Sequence, residues 1–280
     1  MKVLVTGVTG QVGAALLPRL AGFEVVAVER AQLDLADPDL LSGFIRDTGP
    51  DIILNAAAYT AVDRAESERA LAMKVNADAP AVLAEEAKRS GSLLVHYSTD
   101  YVFDGEKAAP YVENDPTNPL SVYGATKLAG EQAIVASGCR HLILRTSWVY
   151  AARGRNFLLT ILRAAKERPE LRVVNDQFGA PTSADAIADG TLRILKEKAE
   201  GVFHMTCAGR TSWHGFAEEI VRCAGLAAAV TPITTAEYPT AARRPRNSVL
   251  DNAKLAKTLG WSMPEWRAEA RRVLAQATAR

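Results

Sequence analysis

A short strand followed by a glycine-rich turn constrains the fold of this chain more than any other feature. Residues 2–6 (KVLVT) read as a buried strand, and GVTGQVG at 7–13 leads into the helical pattern AALL. The backbone N–H groups of such a turn, together with a helix N-terminus, can hold a pyrophosphate. The G-x-x-G-x-x-G spacing allows a tight turn, a close phosphate approach and close helix–strand packing. Gly7, Gly10 and Gly13 therefore predict a dinucleotide-binding unit.

A pair of opposite charges ends the predicted second strand, residues 23–28. Glu29 lies about 20 positions after the glycines, where an acidic residue usually accepts hydrogen bonds from the adenine ribose of NAD. The adjacent Arg30 could instead pair with the 2′-phosphate of NADP. Because Glu29 favours NADH and Arg30 favours NADPH, the choice of cofactor stays open, with a slight preference for NADPH or the use of both.

Apolar strands and helical segments continue to alternate in the first half of the chain. Residues 51–55 read as a third parallel strand, which runs into Ala56, Ala57 and Ala58. Small residues at the carboxyl end of a strand permit a flat cofactor to lie on the backbone; ordinary tight helix packing is the alternative. The alternation predicts an α/β fold with a Rossmann-type, doubly wound parallel sheet.

The alternation weakens from about residue 151. We therefore predict a dinucleotide-binding domain over residues 1–150 and a smaller, mixed α/β substrate domain over most of residues 151–280. We expect the segment 172–200, which contains a strand and a long helical pattern, to return to the first domain.

Composition and charge exclude several classes of function. A formal net charge of +1 gives no reason to expect nucleic acid or an anionic membrane as partner. No apolar run approaches the ~18 residues that span a bilayer, and the first strand follows Met1-Lys2 without the h-region of a signal peptide. Cys139, Cys207 and Cys223 are odd in number and lack metal-ligand spacing, which favours reduced thiols. The sequence thus predicts a cytoplasmic protein.

A tyrosine and a lysine four residues apart are the leading candidates for catalysis. Tyr123 and Lys127 share one face of a predicted helix, where the ammonium would favour the ionised phenol and so permit proton exchange near neutral pH. The spacing alone also fits a chance pair on a helix surface. Thr99 lies near the end of the apolar strand at 93–100, where it should face the ligand crevice. His96, in the same strand, is interpreted as a core residue.

Two further features suit a ligand with a ring and a diphosphate. An indole such as that of Trp148 can cover the apolar side of a sugar or base, although a core tryptophan is the alternative. Three arginines within residues 243–246 include Arg244, and guanidinium groups bind diphosphates well. A solvated basic loop fits the same spacing.

Several runs, taken together, carry a resemblance to a known family. In chain order they are residues 5–13, 55–58 with 61–63, 97–103, 119–124, 145–150, 176–182 and 244–248. The chain resembles the dTDP-4-dehydrorhamnose reductases, within the extended short-chain dehydrogenase/reductase superfamily. The matching runs span nearly the whole chain.

The resemblance implies NAD(P)H-dependent reduction of the C4 keto group of dTDP-4-dehydro-L-rhamnose to dTDP-L-rhamnose. Tyr123 would donate the proton, Lys127 would hold the nicotinamide ribose, and Thr99 would fix the carbonyl. Asp100, Trp148 and Arg244 would contact the substrate. Besides the three glycines, the positions that match cofactor contacts are Gln11, Val12, Glu29, Arg30, Asp34, Leu35, Ala56, Ala57, Ala58, Tyr97, Tyr123 and Lys127.

One departure from the family concerns a metal. Some members are described as dimers bridged by Mg²⁺, with an acidic residue on the first helix. The matching position here is Ala15, although Asp185 and Asp189 remain. Because an alanine side chain supplies no oxygen ligand, we predict no metal site of that kind and a monomer or weak homodimer.

Two other functions stay open at this point. One is a reductase or epimerase that acts on another nucleotide sugar. The other is a non-catalytic, cofactor-binding regulatory subunit, such as that of methionine adenosyltransferase. The intact set of Thr99, Tyr123 and Lys127 favours an enzyme, because a regulator need not keep it.

Overall fold

The computed structural model describes residues 1–279. The strands are β1 (Lys2–Thr6), β2 (Glu24–Val28), β3 (Ile52–Asn55), β4 (Leu93–Thr99), β5 (His141–Thr146), β6 (Val149–Tyr150), β7 (Glu170–Val174), β8 (Phe178–Gly179), β9 (Thr182–Ser183), β10 (Gly201–His204), β11 (Thr211–Ser212) and β12 (Ala229–Ile233).

The α-helices are α1 (Gln11–Leu16), α2 (Pro38–Thr48), α3 (Val62–Ala65), α4 (Arg69–Met73), α5 (Ala79–Ser90), α6 (Val122–Ser137), α7 (Phe157–Glu167), α8 (Ala184–Lys196), α9 (Trp213–Cys223), α10 (Ala253–Leu259) and α11 (Trp266–Thr278). Short 3₁₀ segments cover Leu17–Arg19, Asp100–Val102 and Thr235–Glu237, and a π-helical turn covers Lys74–Asp78. Within residues 1–279, no helix has the length and apolar character needed to cross a bilayer.

A parallel sheet forms the centre of the molecule. Among the described residues its strands lie in the order β10-β5-β4-β3-β1-β2, and every neighbouring pair is parallel. The order reverses at β1, which lies between β2 and β3. In doubly wound sheets the ligand crevice lies at such a switch point, outside the carboxyl ends of the strands. The predicted Rossmann-type α/β fold is confirmed.

The sheet is covered on both faces, which explains its continuous apolar strands. Successive residues of β1 alternate between the two sides: Val3 and Val5 join one core and Leu4 the other. The first core continues into α8, α9 and α11, whereas the second is completed by α2 and α5. Each face thus has its own layer of helices.

The second half of the chain contributes both to this sheet and to a separate strand pair. β10 pairs with β5 at the edge of the sheet, and α8 packs against α1. β7 instead pairs in parallel with β12, beside α9. The division into two domains at residue 150 stays a prediction, and Arg280, its last residue, lies outside the described residues.

Candidate active site

Helix α6 places Tyr123 at the carboxyl edge of the sheet. Its N-cap, Ser121, accepts a hydrogen bond from the Gly124 N–H at 3.2 Å, and the Val122 N–H donates to Glu66 at 2.9 Å. These contacts satisfy N–H groups that a helix start leaves unpaired. Tyr123 therefore lies in the first turn of a well-capped helix.

A glycine lets this helix start approach the end of β4. A Cβ atom on Gly124 would lie only 2.2 Å from the Tyr101 carbonyl oxygen, so a larger residue could not occupy the position without movement. Tyr101 belongs to the 3₁₀ turn that directly follows Thr99. The rings of Tyr101 and Tyr123 meet edge to face, with centroids 6.0 Å apart. The close approach brings Tyr123 beside Thr99.

The pKa of the Tyr123 phenol is raised, whereas the sequence suggested that Lys127 would lower it. Burial raises its pKa to about 12; the Thr99 hydroxyl opposes this rise and the Asp100 carboxylate adds to it. Desolvation disfavours the charged phenolate more than its neighbours favour it. At neutral pH the group therefore carries a proton that it can donate.

Lys127 is buried one turn further along α6. Its Nζ donates to the Tyr97 carbonyl oxygen at 2.7 Å and lies 2.9 Å from Nε2 of His96. Burial lowers the pKa of Lys127 to about 8, although Glu131 acts in the opposite direction. The ammonium is thus anchored on β4, which is why it does not stabilise the phenolate as the sequence suggested.

Thr99 and Asp100 form a buried pair of polar side chains at the end of β4. The Thr99 hydroxyl accepts from the Tyr101 N–H at 3.1 Å and donates to Oδ1 of Asp100 at 3.1 Å. Burial raises the pKa of Asp100 to about 7, and the Ser248 and Thr99 hydroxyls reduce this effect. Asp100 Oδ2, Ser98 Oγ and Thr146 Oγ1 are buried without a hydrogen-bond partner among residues 1–279. Buried polar atoms without a partner are rare in folded proteins, and these three cluster at the carboxyl ends of β4 and β5.

The glycine turn packs so closely against its own backbone and against the end of β3 that Gly7 and Gly13 have no room for a side chain. Gly7 has φ +70°, and a Cβ on it would lie 2.6 Å from the Ala57 nitrogen. A Cβ on Gly13 would lie 2.3 Å from the Gly7 carbonyl oxygen. Gly10 is the N-cap of α1, and no side chain accepts a hydrogen bond from the N–H groups at the start of this helix. This packing holds the turn at the N-terminus of α1, the arrangement in which backbone N–H groups can bind the diphosphate of a dinucleotide.

The ends of β2 and β3 present the other predicted cofactor positions. Arg30 has a side chain that is 75% exposed, and its only side-chain hydrogen bond or ion pair among residues 1–279 is a long one of 3.5 Å to Asp34. Its guanidinium is thus accessible to a phosphate. Glu29 is exposed beside it, and Leu35 is buried in the core below. Ala56, Ala57 and Ala58, which follow β3, and Val12 are partly buried.

Two predicted cofactor residues have side chains engaged elsewhere. The amide of Gln11 donates to the Val149 carbonyl oxygen at 3.3 Å and accepts from Asn156 at 3.0 Å. The Tyr97 hydroxyl lies 2.9 Å from the Thr191 hydroxyl on α8. The side chain of Gln11 therefore ties α1 to the second half of the chain, and Tyr97 presents its carbonyl group to Lys127.

Trp148 follows β5 in a strained conformation, face to face with a second tryptophan. Its φ of +47° lies in the left-handed region, which a bulky residue occupies at a cost. Its ring lies 3.5 Å from that of Trp213, with 8° between the planes. A Cβ on Gly179 would lie 2.5 Å from the indole, so this ring is held from two sides. No sequence pattern links residues 148 and 213, so Trp213 was missed.

Arg244 joins the second half of the chain to the first. Its guanidinium donates to both carboxylate oxygens of Asp63, at 3.1 and 2.7 Å. The same guanidinium holds the pKa of Asp63 below its usual value, although partial burial opposes this. The predicted substrate contact is thus part of a bidentate ion pair across the two halves.

The carboxylates that would bind Mg²⁺ are neutralised within the chain. The Arg19 guanidinium donates to Asp189, to Asp185 and to the Ala15 carbonyl oxygen. Arg272 donates to Asp185 from α11. No group of three or more potential metal-binding side chains occurs within residues 1–279. A cation would have to displace a guanidinium, so these residues do not fit the family's metal bridge.

Comparison with known proteins identifies the family of the chain. The family model described as "RmlD substrate binding domain" matches residues 1–279. The chain belongs to this family. A dTDP-4-dehydrorhamnose reductase from Burkholderia thailandensis is 53% identical over 285 residues, which cover 95% of this chain and 96% of the relative.

Solved structures of dTDP-4-dehydrorhamnose reductases superpose closely on the chain. One from Clostridium acetobutylicum has a TM-score of 0.96 at 40% identity, covering 99% of this chain and 100% of the other. One from Bacillus anthracis, in complex with NADP, has a TM-score of 0.95 at 34% identity, covering 98% and 99%. The resemblance drawn from the sequence runs is confirmed for the dTDP-4-dehydrorhamnose reductase family.

Proposed function

We propose that the chain reduces the C4 keto group of dTDP-4-dehydro-L-rhamnose to dTDP-L-rhamnose with NADPH or NADH. The observation that carries this proposal is a half-buried, protonated Tyr123 beside Thr99 and one turn from the buried Lys127, at the edge that also holds the glycine turn. An acid, a carbonyl-binding hydroxyl and an ammonium are the groups that carbonyl reduction requires.

The dinucleotide, when bound, supplies the hydride. We assign its diphosphate to Gly7, Gly10 and Gly13, and its adenosine end to the region of Glu29 and Arg30. The exposed Arg30 guanidinium supports NADPH, and the relative solved with NADP agrees with that assignment.

Tyr123 then delivers the proton. As hydride reaches the C4 carbon, the carbonyl oxygen gains negative charge and takes the phenolic proton, leaving a phenolate. Thr99, whose hydroxyl favours the phenolate, stabilises that charge. A phenol with a pKa of about 12 is a weak acid, so it keeps its proton until an oxyanion of comparable basicity forms.

We assign the substrate to the region between the two halves of the chain. Asp100 and Trp148 would contact the sugar, and Arg244 would face the diphosphate. Because the Arg244 guanidinium is already bound to Asp63, a diphosphate must share or displace that ion pair. The same arrangement would fix the loop of Arg244 over the substrate.

A substrate panel separates this proposal from its alternatives. NADPH oxidation is followed at the reduced-nicotinamide absorbance band with dTDP-4-dehydro-L-rhamnose and with other nucleotide-linked keto sugars. Faster turnover of a different sugar would reassign the substrate. Cofactor binding without any turnover would favour a regulatory subunit.

Replacement of Tyr123 by phenylalanine tests the proton donor. We expect kcat to fall by roughly 10²–10⁴-fold while NADPH affinity is retained, since only the transferable proton is lost. The matched control is Tyr150→Phe, because the Tyr150 hydroxyl is buried without a partner among residues 1–279. Normal turnover by Tyr123→Phe would exclude Tyr123 as the acid.

The chain's location and association state belong to the same proposal. Cys139, Cys207 and Cys223 are free thiols, and two of them are buried. This pattern supports the cytoplasm as its location. We propose a monomer or weak homodimer.

A further inference from the structure

A row of polar side chains crosses the interior of the sheet and ends at Lys127. Thr6, Asn55 and His96 are register partners on β1, β3 and β4. The Thr6 hydroxyl lies 2.8 Å from Oδ1 of Asn55, whose Nδ2 lies 3.0 Å from Nδ1 of His96. His96 Nε2 then lies 2.9 Å from Nζ of Lys127. Three strands thus connect to the proposed active-site lysine.

This row has no access to water. Thr6, Asn55, His96 and Lys127 are each at most 2% exposed. Burying polar groups costs free energy unless every one is hydrogen-bonded, and an apolar set would pack in a parallel sheet without that cost. A role for the row in holding Lys127 accounts for polar side chains at these positions.

The proton positions in the row follow from the chemistry of an ammonium. Lys127 has N–H donors and no acceptor, so Nε2 of His96 must accept its hydrogen bond. Burial, together with the Lys127 charge, holds the pKa of His96 well below its usual value, so the ring is neutral. A neutral ring that accepts at Nε2 carries its proton at Nδ1.

The orientation of Asn55 is then fixed as well. Nδ1–H of His96 needs an acceptor, so the carbonyl oxygen of Asn55 must face the ring and its amide nitrogen must face Thr6. The opposite orientation would set two donors against each other. Amide oxygen and nitrogen have nearly the same shape, so hydrogen-bond partners decide which faces the ring.

Given the proposed reductase function, we propose that His96 is a positioning residue for the reduction, which holds the Lys127 ammonium in place and is itself fixed by Asn55 and Thr6. Two of the three N–H groups of Lys127 are bound by His96 and the Tyr97 carbonyl oxygen. One N–H is left for a ligand hydroxyl, such as that of a nicotinamide ribose.

Paired variants of His96 test the proposal through kinetics. His96→Leu removes the acceptor and should lower kcat on the order of 10²-fold, because the ammonium loses its fixed position. The KM for the sugar should change little, since His96 does not contact the substrate. His96→Gln offers a carbonyl oxygen to Nζ and should recover most of that loss. His204→Leu, at another buried histidine with no hydrogen bond to its ring nitrogens among residues 1–279, should keep normal kcat.

A spectroscopic measurement on the unaltered protein makes the test independent of folding and of turnover. ¹⁵N NMR of labelled histidine should show His96 as the neutral tautomer with its proton on Nδ1. A proton on Nε2, unchanged kcat in His96→Leu, or equal losses in His96→Leu and His96→Gln would overturn the proposal. Failure of the unaltered protein to reduce the sugar would reject the proposed function instead, and the NMR result would still decide the arrangement of the row.

Discussion

The side chains of Tyr123, which is half-buried, and Lys127, which is buried, lie one helical turn apart, and desolvation moves their pKa values in opposite directions. The pKa of the Tyr123 phenol rises to about 12, and that of the Lys127 ammonium falls to about 8. In both cases burial favours the neutral form. At neutral pH the phenol therefore keeps its proton, and the lysine remains mostly charged.

The displaced pKa of Lys127 predicts the pH dependence of the reaction. The charged form dominates below about pH 8 and is lost as the pH rises through that value. The ionisable groups around it are the neutral His96 on β4 and Glu131 on its own helix, which is paired with Arg145 on β5. We expect kcat/KM for NADPH to fall through that range, because this parameter reports ionisation of the free enzyme.

A pH–rate profile checks this expectation. Tyr123, with a pKa of about 12, ionises too high to produce the fall. A profile that stays flat up to about pH 10 would contradict the role of charged Lys127.

Arg30 should set the choice of cofactor. Arg30→Ala removes a charge-assisted contact to a 2′-phosphate, so the KM for NADPH should rise by roughly tenfold while that for NADH stays the same. Arg163→Ala, at an exposed position on α7, is the control. Equal changes in KM for both cofactors would show that Arg30 does not bind the 2′-phosphate.

At the residue scale, chemistry could be predicted from the sequence where it depends on local spacing. The Tyr-x-x-x-Lys pair and the glycine triplet needed only neighbouring positions. The pKa of Tyr123 and the contacts of His96 depend on burial and on strands far apart in the chain. His96 was correctly placed in the core, but its role there requires the register of β1, β3 and β4.

Helix α6 shows how an element is positioned by small residues. A Cβ on Gly130 would lie 2.1 Å from the Asn76 carbonyl oxygen, in the π-helical turn that α6 crosses. Asn76 accepts from the Tyr59 N–H at 2.8 Å and donates to Thr126 at 3.1 Å. The close contact therefore connects α6 to the residues that follow β3.

Substitution of Gly130 should disturb this contact. Gly130→Ala should destabilise the protein by roughly 1–3 kcal/mol, because the added methyl group overpacks a backbone contact. Gly43→Ala, in α2 with open space around the new methyl group, should stabilise it by up to ~1 kcal/mol through helix propensity. Urea unfolding gives the free energy of unfolding of both variants. Equal changes in the two variants would contradict the close contact predicted at Gly130.

At the element scale, most strands and helices could be predicted from apolar periodicity, but the exact place of an interruption could not. Residues 70–89 carry a long helical pattern, and Pro80 is the residue in it that predicts a break. The chain changes geometry earlier, at Lys74–Asp78, and Pro80 lies in the first turn of α5, where a proline is tolerated. Asn76, with its contacts to Tyr59 and Thr126, lies in that turn, and these tertiary contacts cannot be read from local sequence.

At the scale of the whole molecule, ion pairs join distant segments through the two aspartates of α8. Arg19 joins α1 to α8 through Asp185 and Asp189, and Arg272 joins α8 to α11. The sequence showed the alanine at position 15 but could not show which cations neutralise the two aspartates, because Arg19 and Arg272 are far from them in the chain.

Metal removal is therefore expected to have no effect. Dialysis against EDTA should leave the reduction rate and the molecular mass in solution unchanged, with the chain remaining a monomer or weak homodimer. Light scattering after size-exclusion chromatography, with and without added Mg²⁺, measures the mass. A stable dimer that dissociates on chelation would contradict the ion-pair arrangement.

The position of β10 has a consequence for biosynthesis. This strand completes the edge of the sheet beside β5, yet it follows β5 only after α7, β7 and α8. Until the ribosome has synthesised the segment between β5 and β10, β5 is an unpaired edge of the sheet. The face of α1 that later packs against α8 is exposed until α8 is synthesised. Unpaired edges invite association between chains, so we expect aggregation of the incomplete chain at this stage of synthesis.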